Sequence, residues 1–518
     1  MKQHSRTEYS LLNMLTGVVG YSINTVVGFL CRIIFVRFLG EDYLGVNGLF
    51  TNILSVLSLA ELGMASAFVY ALYKPIAENN QKKIASIMQY YRRAYTAIGC
   101  IVCAIGLAII PFLDSIISDA PNIEENLYLL YSLYLAGTVT SYFFSYRQSL
   151  FAAAQRQYVI SGFSYVQTIA QSILQILYLL FTHDYIGYLL IQILGGVLYN
   201  ISISLKAGRD YPYIKNRQAD PLSAEEKKSL FTNIKALAIN QVSGVLVNST
   251  DNITISYFGG LSSVGYASNY SLLSTTLGGV IGLVFNALPG SVGNLNATSD
   301  SESSYRFFKV LNLTNFWLFG WGAIGIAFVS NDLVALMYGS QYVLPSHIPL
   351  ILAVNFFTIG MLQACYVYKS TLGLFRYGQH LLLFTGILNL GLNVVFGKLW
   401  GIFGIFFATL IARACTNLWY EPYAVYRYGF QKSPWLYAKR YARFWGIFLL
   451  AGGICWRLCA LCHFSASANV LLKVVICTLV PNGIFLLFFR KTEELSYLKG
   501  SARRIADKFS KRNILKRM

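Results

Sequence analysis

The chain has 518 residues, 55% of them hydrophobic and only 12% charged, and its mean hydropathy is +0.52. That balance sets it in the membrane class rather than among soluble globular or disordered chains. A formal net charge of +19 would suit a nucleic-acid binder, but the placement of the basic residues, described below, points away from that class.

Fourteen apolar segments are long enough to span a bilayer, near 11–39, 44–73, 94–113, 126–148, 158–181, 184–206, 229–258, 262–290, 308–330, 347–371, 378–399, 401–426, 441–462 and 468–489. The first is too long for a signal peptide and lacks a small-residue cleavage site. Within it Gly17, Tyr21, Asn24, Gly28 and Arg32 recur at helical spacing and share one face. Hydrocarbon cannot solvate a cationic stripe, so this helix is expected to line protein or water. The turn that follows reads Phe38, Gly40, Gly45, and the same spacing returns 220 residues later as Phe258, Gly260, Gly265. A repeat joining odd to even spans predicts two six-helix halves in the same orientation.

The second span carries Asn47, Thr51, Ser55, Ser58 and Glu61 on one face. Hydroxyls of this kind commonly hold helices together, whereas an intramembrane carboxylate such as Glu61 needs a partner or a proton. Residues 207–228 form a linker with Pro212, Pro221 and many charges, and Ser223 with Glu226 predicts a capping box opening the seventh span. That span repeats the polar stripe of the first with Gln241, Gly244, Asn248 and Asp251 or Asn252, while the eighth shows a small-residue face, Ser271, Thr275, Gly278, Gly282 and Asn286. Arg413 lies deep in the twelfth. The tail from 490 is basic, and Leu498, Ala502, Ile505 and Phe509 predict a helix on anionic lipid.

All but six of the 41 lysines and arginines fall in segments on one side of the membrane, the exceptions being Arg32, Arg37, Lys398, Arg413, Arg457 and Lys473. The opposite loops 114–125 and 331–346 have none. By the positive-inside rule both termini are cytoplasmic, and nucleic acid is not needed to explain the charge. The nine cysteines all lie in apolar spans. Cys459, Cys462 and His463 spell a haem-attachment pattern, but at a membrane-helix end the pattern reads as coincidence and the cysteines as packing groups.

At about 1.5 Å rise per residue, Arg32 and Asp251 lie at similar depths, roughly 12 Å below equivalent turns, and Glu61 lies deeper, at around 26 Å. Arg32 and Arg413 are therefore expected to attract an anionic group, with Asn24 and Asn248 beside them, and Asp251 and Glu61 to act in gating or ion coupling. A permanent structural Arg32–Asp251 pair is the competing reading. No nucleotide-hydrolysis or metal-hydrolase motif occurs, so no cofactor, metal or catalytic residue is expected. The expected organisation is an all-α polytopic membrane protein with about fourteen transmembrane helices. It comprises an N-lobe 1–206, a linker 207–228, a C-lobe 229–430, two peripheral helices in 431–489 and a basic cytoplasmic tail 490–518.

Five stretches carry a family resemblance. They are FVRFLGEDYLGVNGLFTNILSVLSLAELGMASAFVYALYKPIAE at 35–78, SYRQSLFAAAQRQYVI at 145–160, NSTDNITISYFGGLSSVGYASNYSLL at 248–273, YKSTLGLFRYG at 368–378, and GKLWGIFGIFFATLIARACTNLWYEPYAVYRYGF at 397–430. In these the chain resembles the Wzx-type polysaccharide flippases of the multidrug/oligosaccharidyl-lipid/polysaccharide exporter superfamily, over nearly its whole length. The resemblance implies two six-helix lobes around a cavity, alternating access, and a cargo of undecaprenyl-diphosphate-linked sugar repeats moved across the bacterial plasma membrane. The chain is expected to be monomeric and associated with glycan polymerase machinery. Related lipid II flippases carry cavity arginines on the first and eighth helices, and here only the first has one, Arg32. Two other functions compete: a cation-coupled multidrug exporter of the same superfamily, using Asp251 and Glu61, and a membrane polysaccharide polymerase or ligase. The latter needs a sizeable outer catalytic loop, which 114–125 and 331–346 are too short to supply.

Overall fold

A computed structural model of the chain describes residues 6–58, 64–117, 123–154, 156–215, 221–286, 288–298, 300–374, 377–462 and 464–500. The side chains of 6–19, 235–249 and some scattered helical positions lie outside that description. Every regular element among the described residues is helical. In chain order these are α1 (Arg6–Leu39), α2 (Glu41–Leu57), α3 (Met64–Ala77), α4 (Gln81–Ile109), α5 (Leu113–Ile116), α6 (Leu127–Ser145), α7 (Gln148–Ala153), α8 (Gln157–Thr182) and α9 (Tyr185–Asp210). After the linker come α10 (Ala224–Asn286), α11 (Pro289–Thr298), α12 (Ser301–Tyr338), α13 (His347–Gly360), α14 (Gln363–Thr371), α15 (Gln379–Ala414), α16 (Asn417–Ala424), α17 (Trp435–Cys459) and α18 (Ala466–Phe489).

Ten of the described segments are long and apolar enough to cross a membrane. The expected fourteen spans are recovered once three features are read together. The second span is built from α2 and α3. Both α10 and α15 are two spans run together across a glycine, Gly260 and Gly401 respectively. The chain is thus an all-α, multi-pass membrane protein.

Short polar caps set the helix starts, because the first backbone N–H groups of a helix have no intrahelical acceptor. Asn126 accepts from the N–H groups of Tyr128 and Leu129, and Asp184 from those of Ile186 and Gly187. The capping box at the start of α10 forms as expected: Ser223 N–H donates to Glu226 at 3.0 Å and Glu226 N–H to the Ser223 hydroxyl at 3.3 Å.

The helices group into two compact units, Met1–Ser268 with Leu382–Ile405, and Asn269–Leu381 with Phe406–Met518. In the first, α1 packs on α8, α4 on α6, and both α6 and α8 on α9. Small residues let these backbones approach, as transmembrane helix pairs require: Gly106 lies under Leu135, and Gly137 under Ile193. In the second unit α12 is central, contacting α13, α17 and α18. Phe316 stacks on Phe444 at 4.5 Å between ring centroids, and Phe357 on Phe448 at 4.3 Å. Two polar contacts tie α18 to α12: Trp317 donates to Asn482 and Lys473 to Asp332, each at 2.5 Å.

Candidate functional site

The first unit contains the polar face of α1. Arg32 donates through Nη2 to the hydroxyl of Ser268 at 2.6 Å, and Ser268 donates to the Gly265 carbonyl at 2.7 Å. The guanidinium is therefore turned toward α10 and not toward lipid, as its cost in hydrocarbon demands. Two turns earlier on the same face, Asn24 keeps a buried Oδ1 with no hydrogen-bond partner among the described residues.

Asp251 lies on α10 before the Gly260 kink. Its Oδ1 accepts from Asn393 at 2.8 Å, and Asn389, one turn away on α15, donates to Asn393 at 3.4 Å. Asn389 and Asn393 are fully buried. The carboxylate thus sits on a ladder of carboxamides, whose oxygens can solvate a cation and whose N–H groups can hold an anionic carboxylate.

The two glycine turns meet. Gly40 has φ 91° and ψ −170°, and Gly260 φ 75° and ψ 171°, a region open essentially to glycine alone. The 220-residue repeat is therefore a repeat of backbone conformation. The turns are bonded to each other: Ser262 donates to Asp42 at 2.6 Å and Tyr266 to Glu41 at 3.0 Å. At its opposite end α10 is fastened to the start of α4 by a Lys83–Glu226 ion pair.

Other expected residues are distributed differently. Arg413 is half-buried on α15 and belongs to the second unit, whereas Arg32 belongs to the first. Asn248 lies on α10, but its side chain is outside the described residues, as are all of Glu61, His463 and the tail beyond 500. Cys459 Sγ lies 3.9 Å from Cys477 Sγ between α17 and α18.

Two features escaped the sequence reading. Lys369 on α14 donates to both carboxylate oxygens of Glu421 on α16, at 2.9 and 2.7 Å, and Glu421 is fully buried. A lysine and a glutamate within apolar runs were the available signal. The second is an uncharged polar cavity among α6, α8 and α9, whose glutamines recur at spacing four within an apolar span.

The fold defines a polytopic helical membrane protein, consistent with about fourteen helices, with a repeated glycine turn. No known family model and no curated protein sequence matches the chain. Solved structures do. The lipid II flippase MurJ in an inward closed conformation is similar with a TM-score of 0.67 and 15% identity, over 92% of this chain and 99% of that one. An inward-facing multidrug resistance MATE family transporter of the MOP superfamily gives a TM-score of 0.55 and 14% identity, over 77% of this chain and 95% of that one. The Vibrio cholerae MATE transporter VcmN, as a mutant, gives 0.54 and 14%, over 83% of this chain and 100% of that one. At these identities the likeness is one of fold.

Proposed function

We propose that the chain is a flippase. It translocates undecaprenyl-diphosphate-linked oligosaccharide repeat units across the bacterial plasma membrane for surface polysaccharide synthesis, by alternating access and without catalysis. The observation that carries this reading is Arg32, an intramembrane guanidinium turned into the protein, with the Asn24 oxygen, which has no hydrogen-bond partner among the described residues, on the same helical face. A cation beside a neutral acceptor suits a diphosphate joined to a sugar. The fold likeness to a lipid II flippase supports a lipid-linked cargo, and the motif blocks at 35–78 and 248–273 support the polysaccharide branch of the superfamily. In this reading Asn248 and Arg413 are further substrate-binding residues, and residues 1–206 and 229–430 are the moving lobes. Both termini are cytoplasmic, and the basic tail rests on anionic lipid. The chain acts as a monomer, and polymerase machinery takes the product.

The Asp42–Ser262 and Glu41–Tyr266 bonds close the outer end, and Lys83–Glu226 fastens the inner end. Alternating access requires the two sets to release in turn. Deletion of the gene tests the reading: surface polysaccharide should be lost, lipid-linked repeats should accumulate on the inner leaflet, and Arg32→Gln should fail to restore export. Normal surface glycan in the deletion strain would overturn it.

One observation favours a second reading. The Asp251–Asn393–Asn389 ladder has the chemistry of a proton or sodium site, which suits a cation-coupled multidrug exporter like the MATE transporters of the same fold. Drug sensitivity of the deletion strain with intact surface glycan would select it. As part of a flippase, the same ladder serves ion coupling, with Glu61 as a further candidate.

A further inference from the structure

The first unit holds a cavity that none of the candidate residues above lines. It lies among α6, α8 and α9 and has a volume of 430 Å³, within the roughly 300–1,000 Å³ typical of small-molecule sites. None of its lining residues is charged; Gln167, Gln171, Gln192, Asn200, Thr138 and Tyr134 carry its polar character. Most of these side chains are half-buried, so the space opens at a surface. A membrane helix does not turn carboxamides to hydrocarbon, so that opening faces water or protein.

Carboxamides in membrane helices often serve only to bond one helix to the next. Here part of the set is already held and part is left over. Gln167 donates to Gln171, Gln171 to Gln175 at 3.3 Å, and Gln175 to the Tyr188 carbonyl at 3.2 Å. Gln148 donates to the Asn200 oxygen at 3.0 Å. Each bond fixes an amide and uses one of its two donors or one of its oxygen's two acceptor sites. Gln192 lines the same cavity and makes no hydrogen bond to any described residue. Tyr134 is anchored through its hydroxyl to Tyr185 at 2.8 Å, which orients its ring at the cavity wall. A Cβ on Gly195 would lie 2.8 Å from Gln171 Oε1 and push the amide aside, whereas a Cβ on Gly196 meets nothing within 4 Å.

We propose that this cavity binds a neutral polyhydroxylated group, a sugar residue, of the lipid-linked glycan assigned above, on which reading the choice of ligand rests. A carboxamide can accept from one hydroxyl and donate to its neighbour, and a row of oriented amides matches vicinal hydroxyls on a ring. The lining has no cation for a phosphate and no carboxylate for a metal ion or proton. An apolar drug would leave Gln192 and Asn200 donors unsatisfied, which is costly in a dry site. The cavity is thus a sugar subsite separate from the Arg32 face.

The test uses the full-length protein in lipid nanodiscs and, as probe, the neutral oligosaccharide released by mild acid from the host's lipid-linked pool. Binding should be seen for the wild type and fall at least tenfold in Gln192→Leu, which strips the unbonded amide, and in Gly196→Leu, which fills the space without a backbone clash. Both variants should keep the wild-type thermal midpoint within a few degrees. No sugar binding by the wild type overturns the inference, as does equal binding by well-folded variants or a preference for inorganic phosphate. Sugar binding at this cavity together with normal surface glycan in the deletion strain would reject the flippase reading and leave the cavity assignment standing.

Discussion

Gly45 and Gly265 occupy reciprocal positions in two turns that cross. A Cβ on Gly265 would lie 2.7 Å from the Glu41 carbonyl oxygen, and a Cβ on Gly45 would press even closer to the Leu261 carbonyl oxygen. Residues 261 and 265 are the repeat equivalents of 41 and 45, so each contact is the image of the other. The same holds for Asp42 and Ser262, which are bonded at a separation of 220 residues. Contacts of this kind arise when two copies of one motif meet about a two-fold axis, as in an isologous interface.

A side chain at either glycine should force the turns apart. Gly45→Val and Gly265→Val should each destabilise the protein by about 1–3 kcal/mol, the usual cost of overpacking. Gly45→Ala should be worse than Gly265→Ala because its contact is closer. Thermal unfolding in detergent measures the order, and equal midpoints for all four variants would refute the crossing.

Arg32 tests the cationic face. Ser268→Ala removes one charge-assisted bond and should cost about 1.5–3 kcal/mol if the guanidinium finds no substitute. Arg32→Gln should reduce glycan export tenfold or more while costing no more stability than Ser268→Ala, which breaks the same bond. Arg32→Lys should be intermediate, as an ammonium keeps the charge but not the fork of donors. Export is read by surface-glycan staining in the complemented deletion strain.

The Lys369–Glu421 pair is buried, so removing one partner strands the other. Lys369→Met alone should destabilise by about 3–5 kcal/mol, whereas Lys369→Met combined with Glu421→Leu should recover most of that loss. A double-mutant cycle on unfolding free energies measures the coupling, and additive losses would count against the pair.

Glu226 supplies a pH dependence. The Lys83 ammonium, followed by the Ser223 backbone N–H, holds its carboxyl below the ordinary carboxylate value of 4.5. The folded pKa is depressed, so the stabilisation is fully present above that value and is lost as pH falls through the lower folded pKa. Wild type should therefore melt above Glu226→Gln at pH 7, and the gap should close as the pH falls below 4.5 and through the depressed folded pKa. A gap that widens on acidification would contradict the pairing.

Asp251→Asn keeps a hydrogen-bonding group opposite Asn393 while removing the charge. If Asp251 couples transport to a cation, the variant should fold with an unchanged midpoint and lose the dependence of export on the sodium or proton gradient. Retained gradient dependence would place coupling elsewhere.

Much of the fold is legible from local pattern. The fourteen apolar runs, the Ser223–Glu226 box and the repeated glycine turns all follow from residues within a few positions of each other, and helix formation in a membrane is a local matter because each helix satisfies its own backbone. The charged face of α1 was legible because lipid forbids it from facing outward. Its partner Ser268, 236 residues away, was not.

By itself the sequence determined how many helices cross the bilayer, which faces of them are polar, and that one turn is used twice. Those properties depend on hydropathy and on spacings of three or four, which act along a single segment. Which polar group meets which was decided only by the tertiary structure: Asp251 with Asn393, Lys369 with Glu421, and the amide cavity among α6, α8 and α9. Such meetings depend on how closely helices pack and at what angle, and small residues far apart in the chain set that jointly.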